Sequence, residues 1–80
     1  MQPYYSPNET GVKSYKNGDD YIIVKFKDGL YYKYTYDSAG KETIEMLKKL
    51  AVSGRGGLNR ALHPSRHISY KSKGKSLEEL

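Results

Sequence analysis

The feature that most constrains this chain is the dipeptide Asp28-Gly29, set between two runs of β-favouring residues, Asp20–Lys27 and Leu30–Tyr36. Asp-Gly flanked in this way is a strong short-range hairpin signal. The two possible registers of that hairpin make different demands. A two-residue loop would set Lys27 opposite Leu30 and Val24 opposite Lys33, putting a lysine on the face that holds Ile22, Val24 and Phe26. A type I turn with Gly29 as a left-handed bulge pairs Phe26 with Leu30, Val24 with Tyr32 and Ile22 with Tyr34. One face then reads Ile22, Val24, Phe26, Leu30, Tyr32 and Tyr34. The other reads Tyr21, Ile23, Lys25, Lys27, Tyr31, Lys33 and Thr35. The second register separates apolar from charged residues far better, and is the one expected.

A second hairpin dipeptide, Asn17-Gly18, joins Thr10–Lys16 to the same array, so the first half reads as a three-stranded antiparallel meander. A helix follows from about Lys41 to Val52, with Asp37 or Ser38 as a candidate cap. Ile44, Leu47, Leu50 and Ala51 form its apolar stripe, and Glu45 with Lys49 an i,i+4 pair outside. Gly54 is placed to end it in the left-handed conformation. A short second helix, about Gly57 to Leu62, buries Leu58 and Leu62 and stops at Pro64. The expected fold class is α+β: a three-stranded meander with one helix packed on one face, a short second helix, and disordered termini. In residues, 1–8 is a flexible N-terminus, 9–62 a single domain and 63–80 a flexible basic tail, because both ends are rich in turn formers and poor in aliphatic residues. One helix on three strands leaves a sheet face uncovered, carrying Tyr21, Ile23 and Tyr31 among Lys25, Lys27 and Lys33.

Charge is unevenly spread over the 80 residues. Residues 1–45 hold six Lys/Arg against seven Asp/Glu, or −1, and residues 46–80 hold eight against two, or +6. This asymmetry points to a polyanionic partner, or alternatively to solubility alone. Cysteine is absent, which excludes disulfides and thiolate metal sites. The N-terminal MQPYYSPN has neither a positive segment nor an apolar run, and no window approaches a membrane span. A cytoplasmic protein with no membrane contact is therefore expected.

On the uncovered face, Lys25, Lys27 and Lys33 could track phosphates while Tyr21 and Tyr31 stack on bases. The same face could instead pack a protein partner or a second copy. Tyr32 and Tyr34 turn inward and are expected to be structural. The loop Ser53–Gly57 offers converging amides with Arg55 and Arg60 nearby, or simply a helix connection; it lacks P-loop spacing. His63 and His67 are separated by Pro64 and have no acidic neighbours, so no metal is expected. The tail Tyr70–Lys75 could hold phosphates loosely. No carboxylate pair, nucleophile or cofactor signature can be assembled, so neither an enzyme nor a cofactor is expected.

The ordered set Ile22, Val24, Phe26, Asp28-Gly29, Tyr32-Lys33-Tyr34, Ala51-Val52-Ser53 and Asn59 resembles the KTSC domain. That domain is a C-terminal extension of some lysyl-tRNA synthetases and also occurs as free-standing small bacterial proteins. The likeness spans roughly residues 10–62 and makes Tyr32, Tyr34, Ser53 and Asn59 motif residues, with Asn59 fixing the loop by a hydrogen bond. It departs in the loop glycines (Gly54 and Gly56 instead of one near Arg55), in Gly57-Leu58 before the asparagine, and in lacking Val-Pro after Tyr34. The family brings no established activity; its synthetase context implies RNA. The first expectation is thus a small module for RNA or single-stranded nucleic acid, and the rival a protein-interaction or dimerisation domain.

Overall fold

The computed structural model describes residues 1–4, 11–53, 57–62 and 67–80, and for Asn59 the backbone alone. Five strands form one antiparallel sheet in sequence order: β1 (Gln2–Pro3), β2 (Val12–Asn17), β3 (Tyr21–Phe26), β4 (Tyr31–Thr35) and β5 (Ser72–Gly74). Between β4 and β5 come α1 (Tyr36–Ala39), α2 (Lys41–Ser53) and α3 (Leu58–Ala61). The class is α+β, but with five strands where three were expected.

The β3–β4 register follows the apolar pattern: Ile22 faces Tyr34, and Val24 faces Tyr32. Gly29, at φ 92°, supplies the left-handed residue, Phe26 and Leu30 bond across the turn at 2.9 Å, and Asp28 Oδ1 accepts from the Leu30 amide at 2.9 Å. The first hairpin turns at Asp19-Asp20, not at Asn17-Gly18. Asn17 pairs with Ile22, and the Gly18 amide donates to the Tyr21 carbonyl at 2.9 Å. Gly18 serves space instead of a turn conformation, since a Cβ there would lie 2.0 Å from the Tyr21 ring.

A bulge between Val12 and Ser14 sets the parity of β2. The extra residue, Lys13, lets Val12 and Tyr15 share the α2 side although they are three apart, while Ser14 and Lys16, opposite Lys25 and Ile23, face the other side. On the α2 side Tyr4, Val12, Ile22, Val24, Tyr34, Ile44, Leu47, Ala51 and Leu58 form the buried core. The helical stripe is therefore the one its spacing predicts, with Leu50 and Leu62 packed at its margin.

Helix entry differs from expectation. Tyr36 belongs to α1, whose cap is Thr35: its hydroxyl accepts from the Ser38 amide while Ser38 Oγ accepts from the Thr35 amide. Asp37 and Ser38 are inside the turn they were expected to open. Gly40, at φ 91°, then allows the break before α2. Glu45 pairs with Lys48 at 2.9 Å, not with Lys49. Gly54 and Pro64 lie outside the described residues.

Both chain ends differ most. Gln2 and Pro3 pair with Tyr15 and Ser14 at an edge, where a proline costs no ladder bond. Tyr4 is buried, sets its ring edge-on to Tyr15, and accepts a hydrogen bond from the Leu58 amide at 3.2 Å. At the other end Ser72 pairs with Lys33 and Gly74 with Tyr31. The chain then enters a 3-10 turn at Leu77–Glu79, held by Glu79 Oε2 on the Lys75 amide at 2.6 Å and Ser72 Oγ on the Leu80 carbonyl at 3.4 Å.

Candidate nucleic-acid interface

Residues directly opposite in an antiparallel ladder point to the same side. The registers of β2 to β5 therefore collect Ser14, Lys16, Tyr21, Ile23, Lys25, Tyr31, Lys33, Thr35, Ser72 and Gly74 on the side away from α2. Four of the residues expected there, Tyr21, Lys25, Tyr31 and Lys33, are in place, and Lys27 is exposed just beyond the end of β3. Lys25 Nζ lies 5.1 Å from the Tyr31 ring centroid, directly across the ladder. Lys33 Nζ lies 4.8 Å from the Tyr21 centroid, along the diagonal. Each ammonium thus sits on the π-face of a neighbouring strand's tyrosine. Among the described residues no carboxylate comes within 4.0 Å of Lys16, Lys25, Lys27 or Lys33; the ion pair there is Glu45–Lys48.

This side is not bare. A Cβ on Gly74 would point to it and would stand 2.5 Å from Glu79 Cβ and Oε2, so the C-terminal turn lies on the same side as Tyr31. Leu77 borders a depression that also takes in Met1, Gln2 and Lys16 from the opposite edge. Ile23, in the middle, is only 7% exposed, and Tyr21 and Tyr31 are half-buried. The expectation of an uncovered face is corrected here: the chain folds its own end over part of it.

The other candidates lie elsewhere. Arg60 is exposed on α3 and borders a hollow with Thr43 and Met46 of α2, which puts it on the helix side, apart from the sheet lysines. Arg55 and His63, and the side chain of Asn59, lie outside the described residues. Ser53 Oγ donates to the Leu50 carbonyl at 3.0 Å in the last turn of α2. Tyr32 and Tyr34 face the core side, Tyr34 buried, as their register requires. The tail basic residues divide: Lys71 donates its amide to the Lys33 carbonyl, while Lys73 faces the α2 side and lies 5.8 Å from the Tyr70 centroid.

Two groups were not foreseen. Lys16 joins the lysine face through its pairing with Ile23 next to the first hairpin turn. The second group links the Asp19-Asp20 turn to α2. The Tyr36 hydroxyl donates to Glu45 Oε2 at 2.7 Å and lies 3.0 Å from the Asp19 carbonyl. Lys48 Nζ bonds Glu45 at 2.9 Å and the Asp19 carbonyl at 2.8 Å. The bond to Glu45 is the main reason the Tyr36 phenol is pushed up to about 12, and bonds from Lys48 and then Tyr36 hold the Glu45 carboxyl below its ordinary range. These contacts tie a turn to a helix, with Glu45 and Lys48 bordering only open surface hollows along α2, so they read as structural.

Among the described residues no group of three or more His, Asp or Glu is placed to hold a metal ion, and no helix is long and apolar enough to cross a membrane. No family model, curated protein or solved structure matches the chain, so the reading of this surface rests on its own geometry.

Proposed function

We propose that this chain is a small non-enzymatic module that binds RNA or other single-stranded nucleic acid on the sheet side away from α2. One observation carries the reading: Lys16, Lys25 and Lys33 share that side with Tyr21 and Tyr31, and among the described residues none of the three lysines has a carboxylate partner. Lysine binds phosphate as a point charge. The tyrosines could receive bases once Lys25 and Lys33 swing from their rings to phosphates. That exchange gives up about 0.5–1 kcal/mol per exposed cation–π contact against roughly 1–3 kcal/mol per stacked base. It is favourable before any phosphate attraction is counted. The resemblance to the KTSC domain, through its synthetase context, supports the same partner class.

The rival reading, a protein partner or second copy on the sheet, is less well supported. The outer strands are two and three residues long and one carries Pro3, so each edge has few groups to offer another strand.

The test is binding of labelled single-stranded RNA and of tRNA at several salt concentrations, with sedimentation of the free protein. Three phosphate contacts give a log–log salt slope of about −2. Lys25→Ala/Lys33→Ala should flatten it by about 1.4, and Tyr31→Ala should weaken binding at every salt concentration. Salt-dependent binding untouched by Tyr31→Ala would leave charge attraction alone. Self-association without RNA affinity would favour the rival.

A further inference from the structure

The end of β3, its neighbour β4 and the approach to β5 enclose an aromatic corner on the α2 side. Phe26 and Tyr32 meet edge to face, 5.2 Å apart at 84°, and Tyr32 meets Tyr70 in the same way, 5.1 Å apart at 82°. Beside them is a cavity of about 350 Å³ lined, among the described residues, by these three rings, Tyr34, Asp28, Leu62 and Ile68. That volume falls in the range of small-molecule sites, which begins near 300 Å³.

Three independent details specify an occupant. Tyr34 is 5% exposed, yet among the described residues its hydroxyl has no hydrogen-bond partner. Buried polar groups without a partner are rare in folded proteins, and this one lines the cavity. Burial first, then the neighbouring Tyr32 and Tyr70, hold its phenol above the ordinary range, so it stays a neutral hydroxyl. At the rim, the exposed Asp28 carboxylate makes one hydrogen bond, to the Leu30 amide, and no ion pair among the described residues. In a chain with five excess positive charges, an unpaired carboxylate beside three rings favours a cation. Finally, the chain already lays an ammonium on one of these rings: Lys73 Nζ stands 5.8 Å from the Tyr70 centroid.

We infer that this corner is a binding site for a small organic ammonium ion bearing a hydroxyl, an amino alcohol of the choline type. The perpendicular rings offer π-faces to the cation, Asp28 balances its charge, and the Tyr34 hydroxyl takes the ligand's hydroxyl. The cation would take the place that the Lys73 ammonium approaches. The site lies across the sheet from the nucleic-acid face and stands whether or not that face binds RNA.

The test is an NMR titration of the whole chain with three probes: choline, tetramethylammonium, and the uncharged isostere of choline in which a tert-butyl group replaces trimethylammonium. Choline should give saturable shifts at Phe26, Tyr32 and Tyr70, and the uncharged isostere should bind roughly tenfold more weakly. Tyr70→Ala, at an exposed position, should weaken choline by a similar factor with the amide spectrum of the core unchanged. Asp28→Asn keeps an acceptor for the Leu30 amide and should weaken both cations alike. Tyr34→Phe should lower affinity for choline and leave tetramethylammonium unaffected. Equal or tighter binding of the uncharged isostere, or no saturable shift with either cation, would overturn the inference.

Discussion

Removing one oxygen from Tyr4 tests whether the N-terminal residues belong to the fold. The Tyr4 hydroxyl accepts the hydrogen bond of the Leu58 amide at 3.2 Å, and Leu58 is fully buried. Leu58 begins α3, where the first amides of a helix have no partner within it. In Tyr4→Phe that amide stays buried with its acceptor gone, which costs about 1–3 kcal/mol. Tyr4→Ala also removes the ring, 8% exposed and packed edge-on against Tyr15, and the total should reach about 3–5 kcal/mol. For a domain of this size each kcal/mol lowers Tm by roughly 4–8 °C. Urea unfolding followed by circular dichroism gives the free energies, and the slope against urea should not change, because the same surface is exposed. Hydrogen exchange at the Leu58 amide should accelerate in both variants. If both lie within about 0.5 kcal/mol of the parent, the range of a neutral surface change, β1 and Tyr4 are not docked and the N-terminus frays.

Leu47→Ala removes a fully buried side chain from the centre of α2 and should cost about 2–5 kcal/mol in the same urea assay; the half-buried Leu50→Ala should cost less. Tyr36→Phe should change the pH profile of thermal stability at both ends. With the folded phenol raised from 10.0 to about 12, its contribution is complete below pH 10 and is lost as pH climbs through 12. Glu45 is lowered, so its contribution holds above the ordinary carboxylate range and fades as pH falls through the folded value. The variant should therefore lose stability less steeply above pH 10, and a profile parallel to the parent's there would refute the coupling. Glu79→Ala frees the Lys75 amide from its 2.6 Å bond and removes a negative charge from the basic side. It should raise single-stranded RNA affinity by roughly twofold to fivefold in filter binding; lower affinity would mean that the turn helps to build the surface.

What could be read beforehand follows from how local the determining forces are. The β3–β4 hairpin was legible because one turn dipeptide and one alternating pattern demand the same register, and a slip by one residue would bury Lys33. The α2 stripe was legible for the same reason at helical period. The cap was not: Tyr36 looked like strand, yet Thr35 and Ser38 satisfy each other's amides and start a turn one residue after β4 ends. Asn17-Gly18 misled because glycine has two uses, and here the ring of Tyr21 needs the space. Of the lysine face, Tyr21, Lys25, Tyr31 and Lys33 followed from the register. Lys16 adds to them through its pairing with Ile23, whereas Arg60 depended on the path of a helix connection, which local pattern does not determine.

The covering of the second sheet side did leave a trace in the sequence, in the run Tyr21-Ile22-Ile23-Val24. A strand with one wet face alternates, whereas continuous apolar residues suit a strand covered on both sides. Ile22 and Val24 fill the α2 side completely, and Ile23, pointing the other way, is nearly as buried. Something had to lie over Ile23, and the residues available were the polar, charged ones of the C-terminus. Such a segment buries little apolar area of its own, so its place is held by a few polar contacts: the Lys71 amide on Lys33, Ser72 on Leu80, and Glu79 on Lys75. Contacts of that kind are each worth about 0.5–1.5 kcal/mol net, comparable to one stacked base. If this side binds nucleic acid as proposed, a strand running beside the turn leaves it in place, and one that stacks on Tyr31 has to displace it against the sum of these contacts and the β4–β5 pairing.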